Sequence, residues 1–208
     1  MYPYSVAILF IVATGVAYPL RVSLAKGSGR REFRGNFGPV ADEACQVGIT
    51  WVAVNTPILH KYMVYRGGKP RVLLHSAREN ITVASTMLDS RREGPSLGAC
   101  IGLAVICCLT NRELVADIGV TGELDLRGRI TSVSGLVGKA AGAKELGLDM
   151  VIIPADDYRE LKTSDFSAFE DEELRDYVRG TFHGASNMVE VLQLAVKGER
   201  SSAMEDQN

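Results

Sequence analysis

Apolar positions along this chain change their period several times, and each change marks a new element. Residues 5–20 carry no charge and 6–16 are apolar almost throughout, a run shorter than the roughly 20 residues a membrane-spanning helix needs. Residues 45–55 (CQVGITWVAVN) are rich in β-branched and aromatic side chains and close on Asn55-Thr56-Pro57, which predicts a strand ended by a turn. A second short strand is expected over 61–66, before Gly67-Gly68. From 72 to 88 the period turns helical, with Val72, Leu73, Ala77, Ile81, Ala84 and Leu88 mostly on one face. The polar run 89–93 then breaks it. Residues 96–109 are apolar nearly all round and predict a buried helix. A strand over 116–120, a polar-alternating hairpin over 123–133 and a helix over 135–146 stopped by Gly147 follow. Residues 150–153 predict a buried strand ended by Pro154, and 171–178 and 187–196 predict further helices. The polar tail from Gly198 is expected to lie outside the fold. The sum is an α/β (α+β) domain, a mixed sheet with packed helices over 41–197.

Residues 1–40 read differently. Past the apolar run stand Arg21, Lys26, Arg30, Arg31 and Arg34, with Glu32 the one acid before Asp42. A secretory signal fits the small residues Gly15 and Ala17 but wants a basic leading end. A membrane anchor through 5–20 would use the basic flank as its cytoplasmic side. An organellar (mitochondrial) presequence is rich in Arg and Ser and poor in acid, as 21–36 are. A leading β-strand with a solvated basic connector is the fourth reading, and a cytoplasmic location the alternative to an organellar or membrane-anchored one. All four stay open, and residues 1–40 are set apart from the predicted domain.

Composition narrows the function. At 208 residues the chain is long enough for one domain with a full core. A formal charge of −2 carries no footprint for nucleic acid. The cysteines, Cys45, Cys100, Cys107 and Cys108, lack ligand spacing, and adjacent Cys107 and Cys108 are badly placed to bridge each other. They read as small buried residues. His183 has no acidic or cysteine partner at ligand spacing, so no metal site and no cofactor are assigned. Trp51 reads as a core aromatic, and Arg127 and Arg129 as the exposed face of a hairpin. Asp156-Asp157 and Asp171-Glu172-Glu173 read as acids at helix starts.

One pairing of residue types suggests chemistry. Gly94-Pro95-Ser96-Leu97-Gly98-Ala99 opens the apolar helix, and Lys139 follows within Ser134-Gly135-Leu136-Val137-Gly138-Lys139. A serine attacks a carbonyl only when a base takes its proton, and a lysine serves if its pKa is depressed. Ser96 is expected at a helix start, where unpaired N–H groups suit an oxyanion. Gly98 and Ala99 would keep the helix surface small and leave room for a substrate backbone. Lys139, in the first turn of its own helix among Leu136, Val137 and Ala140, would lose its proton easily through the dipole and through burial. Glycine–serine turns before helices are common, however, and a helix lysine is usually solvated. The two residues alone do not single out a hydrolase.

Longer motifs do. Glu93-Gly94-Pro95-Ser96-Leu97-Gly98, Val120-Thr121-Gly122-Glu123-Leu124-Asp125-Leu126-Arg127-Gly128 and Gly135-Leu136-Val137-Gly138-Lys139, in this order and spacing, resemble the proteolytic domain of Lon proteases. Ala143-Lys144-Glu145-Leu146-Gly147, Val151-Ile152-Ile153-Pro154 and the stretch 189–195 extend the likeness over most of 44–197. The resemblance implies a serine endopeptidase with Ser96 as nucleophile and Lys139 as general base. Thr121 would support the lysine, and Glu93 and Gly94 would shape the turn, Glu93 standing where the family commonly has aspartate. It also implies a polypeptide substrate and a homo-oligomer.

Two departures are expected. The family places a strand and loop of about two dozen residues between its first helix, likened here to 71–88, and the Gly-Pro-Ser turn; only 89–93 remain for them, which would point to an impaired scaffold or assembly module. These 208 residues also hold no Gly-x-x-x-x-Gly-Lys-[Ser/Thr] loop. Peptide cleavage would then be ATP-independent within this chain or served by a separate ATPase partner.

Overall fold

The computed structural model describes residues 5–11, 16–62, 79–85, 93–110, 112–115 and 117–196. Its centre is a mixed sheet of seven strands: β1 (Ser5–Ile11), β2 (Ala17–Lys26), β3 (Arg31–Arg34), β4 (Glu79–Ser85), β5 (Ile118–Val120), β8 (Met150–Pro154) and β9 (Phe182–Ala185), in the order β3-β4-β2-β1-β5-β8-β9. Strand β1 runs antiparallel to β2, and β2 to β4. The pairs β1–β5, β5–β8 and β8–β9 are parallel, as is β3–β4. A separate two-stranded hairpin pairs β6 (Glu123–Leu124) with β7 (Ile130–Thr131).

Helices cover both faces. Successive residues of β8 point to opposite sides: Ile152 joins the cluster built with α1 (Pro39–Tyr62), α2 (Gly98–Thr110) and α6 (Met188–Ala195). Val151 and Ile153 join the cluster built with α3 (Leu136–Glu145), α4 (Ala155–Thr163) and α5 (Glu172–Thr181). Helix α2, apolar all round, is the buried centre of the first layer, with Cys100, Ile101, Leu103, Ala104, Val105 and Ile106 fully covered. The α/β expectation holds.

Several local expectations do not. Residues 45–55 are the middle of helix α1, not a strand. Read from Pro39 onward, the buried positions Ala41, Ala44, Cys45, Gly48, Ile49 and Val52 recur at steps of three and one, a helical stripe that overrides β-propensity. The strand expected over 61–66 starts inside the last residues of α1, and its remainder lies outside the described residues. Within the stretch assigned to a helix over 72–88, residues 79–85 form β4, with Ile81, Val83 and Ser85 buried and Thr82 and Ala84 between them less so. The strand thought to be missing before the Gly-Pro-Ser turn is therefore present. Misreading it as the first helix created the apparent deletion.

Setting residues 1–40 apart is overturned as well. Strands β1, β2 and β3 belong to the main sheet, and Tyr18, Leu20, Val22 and Leu24 are core residues. The segment thus contributes strands to the sheet, with Ala17, Tyr18 and Leu20 buried. No described helix is long and apolar enough to cross a membrane. The sequence also missed β9 and did not delimit α4. The polar tail 198–208 lies outside the described residues.

Candidate active site

Gly94 starts the site. Its φ of 107° and ψ of 151° belong to a region only glycine enters readily, and a side chain there would meet no neighbour, so conformation alone demands the glycine. Pro95–Leu97 then make one 3-10 turn that runs straight into α2. This turn is stapled to the chain beyond β5. Gly122 N–H donates to Ser96 O at 2.9 Å, and Ala99 N–H donates to Gly122 O at 3.2 Å. The staple was not singled out in the sequence, though Gly122 lies within a quoted motif. Gly98 does not leave room for a substrate, contrary to expectation: a Cβ there would meet Leu124 Cβ at 2.9 Å and Leu124 N at 3.0 Å. Its space is filled by β6. Ala99 is likewise fully buried.

Lys139 comes from the opposite face of the sheet. It lies in the first turns of α3, behind Gly135 in the left-handed region at φ 72°, and its N–H donates to Gly135 O at 3.0 Å. The side chain is 3% exposed. Its Nζ lies 3.3 Å from Ser96 Oγ and 3.2 Å from Thr121 Oγ1, donating to both when charged. Burial pushes the Lys139 ammonium down from 10.5 to about 8. Burial is the cause of this shift. When the amine is neutral its lone pair is free to accept the Ser96 hydroxyl, while Thr121 keeps one N–H occupied and so fixes the direction of that lone pair.

Thr121 is buried just past the end of β5, where its N–H donates to Ile152 O of β8 at 3.0 Å. The three residues Ser96, Thr121 and Lys139 thus meet at one point. Glu93 goes elsewhere: its carboxylate packs against the α-carbon of Gly38, beside the start of α1. A side chain on Gly38 would displace it. Glu93 is placed between the turn that carries Ser96 and the start of α1.

The other residues weighed from sequence fall into structural places. Cys45, Cys100, Cys107 and Cys108 are buried free thiols. Trp51 is buried on α1 beneath the turn at Gly128, and His183 sits within β9 in register with Ile152. Arg129 is exposed on the β6–β7 hairpin and pairs with Asp125 at 2.7 Å. Asp171 caps α5 by accepting from Leu174 N–H at 2.6 Å. Among the described residues no cluster of histidine, cysteine and acidic groups is suited to a metal.

Comparison with known proteins gives one consistent answer. The sequence profile described as Lon protease (S16) C-terminal proteolytic domain matches residues 6–198. Similar proteins include Lon protease 1 of Bacillus subtilis (strain 168), 32% identical over 200 residues that make up 91% of this chain and 23% of the relative. Lon protease of Dictyoglomus thermophilum is 29% identical over 92% of the chain and 23% of the relative. Lon protease of Escherichia coli (strain K12) is 27% identical over 88% of the chain and 21% of the relative. The chain spans less than a quarter of the length of these relatives.

Proposed function

The chain belongs to the family of the Lon protease (S16) C-terminal proteolytic domain, and from that premise we propose that it is a serine endopeptidase working through Ser96 and Lys139. Neutral Lys139 takes the proton of Ser96 Oγ as the oxygen attacks a peptide carbonyl. The tetrahedral oxyanion forms beside the N-terminal end of the α2 segment, where helix N–H groups and the positive dipole end favour negative charge. Lys139 then gives its proton to the leaving amine. Neutral Lys139 then deprotonates a water that attacks the acyl-enzyme, and returns that proton to Ser96 Oγ as the acid product leaves. Thr121 holds the lysine in line, and Gly94 and Glu93 hold the turn.

One observation supports this reading above the others: a lysine only 3% exposed, with a pKa near 8, lies 3.3 Å from the Ser96 hydroxyl. A solvated helix lysine has neither the burial nor the partner. The substrate class is polypeptide and the working form a homo-oligomer, as in the family the sequence resembles. The proton transfers require no nucleotide, so cleavage of a short unstructured peptide is expected without ATP, and an ATPase partner would be needed only to deliver folded substrates. The scaffold reading loses one of its two motives, the supposed deletion, since β4 stands ahead of the Gly-Pro-Ser turn; the other, the lack of an ATPase loop in these 208 residues, bears on delivery of substrate rather than on the reacting groups. The test is cleavage of an unfolded polypeptide by wild type, Ser96→Ala and Lys139→Ala, with a fluorophosphonate or boronate probe reporting on Ser96. Loss of cleavage in both variants is expected; cleavage by Ser96→Ala at the wild-type rate would overturn the proposal.

A further inference from the structure

One buried carboxylate is tied to a backbone amide and to no cation among the described residues. Asp157, in the first turn of α4, is 6% exposed, and its Oδ2 accepts the N–H of Val133 at 2.9 Å. The neighbouring Asp156 does what an acid at a helix start usually does: it is exposed and pairs with Arg159 at 2.7 Å. Asp157 turns inward, and burying a carboxylate is unfavourable unless its oxygens are satisfied. The group it accepts from lies in residues 132–135, the link between β7 and the α3 helix that carries Lys139. Both ends of that link are determined by backbone. At one end Ile130 N–H donates to Ser186 O at 2.9 Å, and at the other Gly135 adopts φ 72° ahead of Lys139. Strand pairing of Pro154 with Ala185 brings the start of α4 beside the same turn. The Val133 bond therefore holds the middle of a link that is otherwise fixed at its ends.

We infer that Asp157 is a positioning residue for the general base: it tethers residues 132–135 through the Val133 amide and so sets where α3 begins and where Lys139 Nζ lies. The inference rests on the Ser96–Lys139 reading. A displacement of about 1 Å at the reacting atoms costs on the order of 100-fold in rate, so the tether matters although Asp157 touches no reacting group. Its action is geometric, through an acceptor oxygen.

The experiment compares Asp157→Leu, which keeps the volume and removes the acceptor, with Asp157→Asn, which keeps an acceptor oxygen, and with Ser96→Ala. Each is assayed for kcat, KM and the pH midpoint of cleavage, and for hydrogen exchange of the Val133 amide. Asp157→Leu is expected to lower kcat about 10- to 100-fold with KM within about twofold. Its pH midpoint should rise as water reaches the lysine, and Val133 exchange should accelerate. Asp157→Asn should stay within about threefold of wild type. Should Asp157→Leu lose its cooperative melt, Asp157→Ser, too short to reach Val133, takes its place with the same expected loss. Wild-type kcat and an unchanged Val133 amide in the variant lacking the acceptor would overturn the inference, as would equal losses in Asp157→Asn and Asp157→Leu. Continued cleavage by Ser96→Ala would instead bring down the dyad reading.

Discussion

Replacing Lys139 by methionine removes the proton and keeps most of the side chain's length, which isolates the energetic consequence of burying this amine. The folded pKa is about 8 against 10.5 for an unperturbed lysine. Each unit is about 1.4 kcal/mol, so at pH 7 the folded state carries a penalty of about 3 kcal/mol that the methionine variant lacks. The sign follows from proton counts. Between the two pKa values the unfolded chain binds the proton and the folded chain does not, so wild-type stability from this group rises with pH, from the full penalty below about 8 to none above about 10.5. At pH 9 about 2 kcal/mol of the penalty remains. Other groups titrate nearby, since burial pushes the thiols of Cys45, Cys100 and Cys107 up. They are common to both proteins and cancel in the difference. Lost hydrogen bonds to Ser96 and Thr121 shift the gap by about 1 kcal/mol each without giving it a pH slope. The assay is urea unfolding of both proteins at pH 7 and pH 9, followed by the emission of the sole tryptophan, Trp51, in α1. The stability of Lys139→Met relative to wild type should fall by about 1 kcal/mol between the two pH values. A gap that does not change with pH would show that burial does not depress this lysine, and the argument for it as a base would go with it.

Three further outcomes are expected. Because neutral Lys139 is the working form and its pKa is about 8, kcat/KM for peptide cleavage should rise about tenfold from pH 7 to pH 9 and then level; a midpoint near that of an ordinary lysine would contradict the site geometry. Thr121→Val removes the acceptor 3.2 Å from Nζ but keeps the backbone bond to Ile152, so kcat should drop about tenfold with KM and the urea midpoint nearly unchanged; an unaltered kcat would exclude an orienting role. Gly98→Ala places a methyl about where Leu124 Cβ and N now lie, at 2.9 and 3.0 Å, and should destabilise the domain by about 1–3 kcal/mol in urea unfolding. Full stability would mean that β6 moves freely away from α2.

How far the sequence could be read depended on whether an element's signal was local. Ser96 and Lys139 were legible because the motifs around them are contiguous and their spacing is distinctive. Helix α3, stopped by Gly147 at φ 65°, and α6, capped by Asn187, announced themselves through their end residues. The failures share another cause. Helix α1 contains the β-branched and aromatic stretch ITWVAV, whose local propensity contradicts the stripe that emerges only when Ala41 is included. Strand β4 presents Ile81 and Ala84 three apart, which mimics a helix face, and its true period appears only against β2, to which Ile81 pairs through Leu24. Strands β1 and β2 stayed open between leader, anchor, presequence and strand because their apolar run fits membrane and targeting patterns too, while a partner that explains it, β5, stands about a hundred residues away with Gly119 opposite Leu9. Asp157 was read as a helix-start acid. Its second role needed the tertiary neighbour Val133.

The two residues proposed to react are carried by helices on opposite faces of the sheet, and they meet only beyond the end of β5, the short strand locked between β1 and β8. A chain emerging from the ribosome holds the nucleophile long before the strand that brings its base into reach has been made. On the proposed reading, cutting power therefore arrives last, as a property of the finished sheet rather than of the nucleophile's own helix.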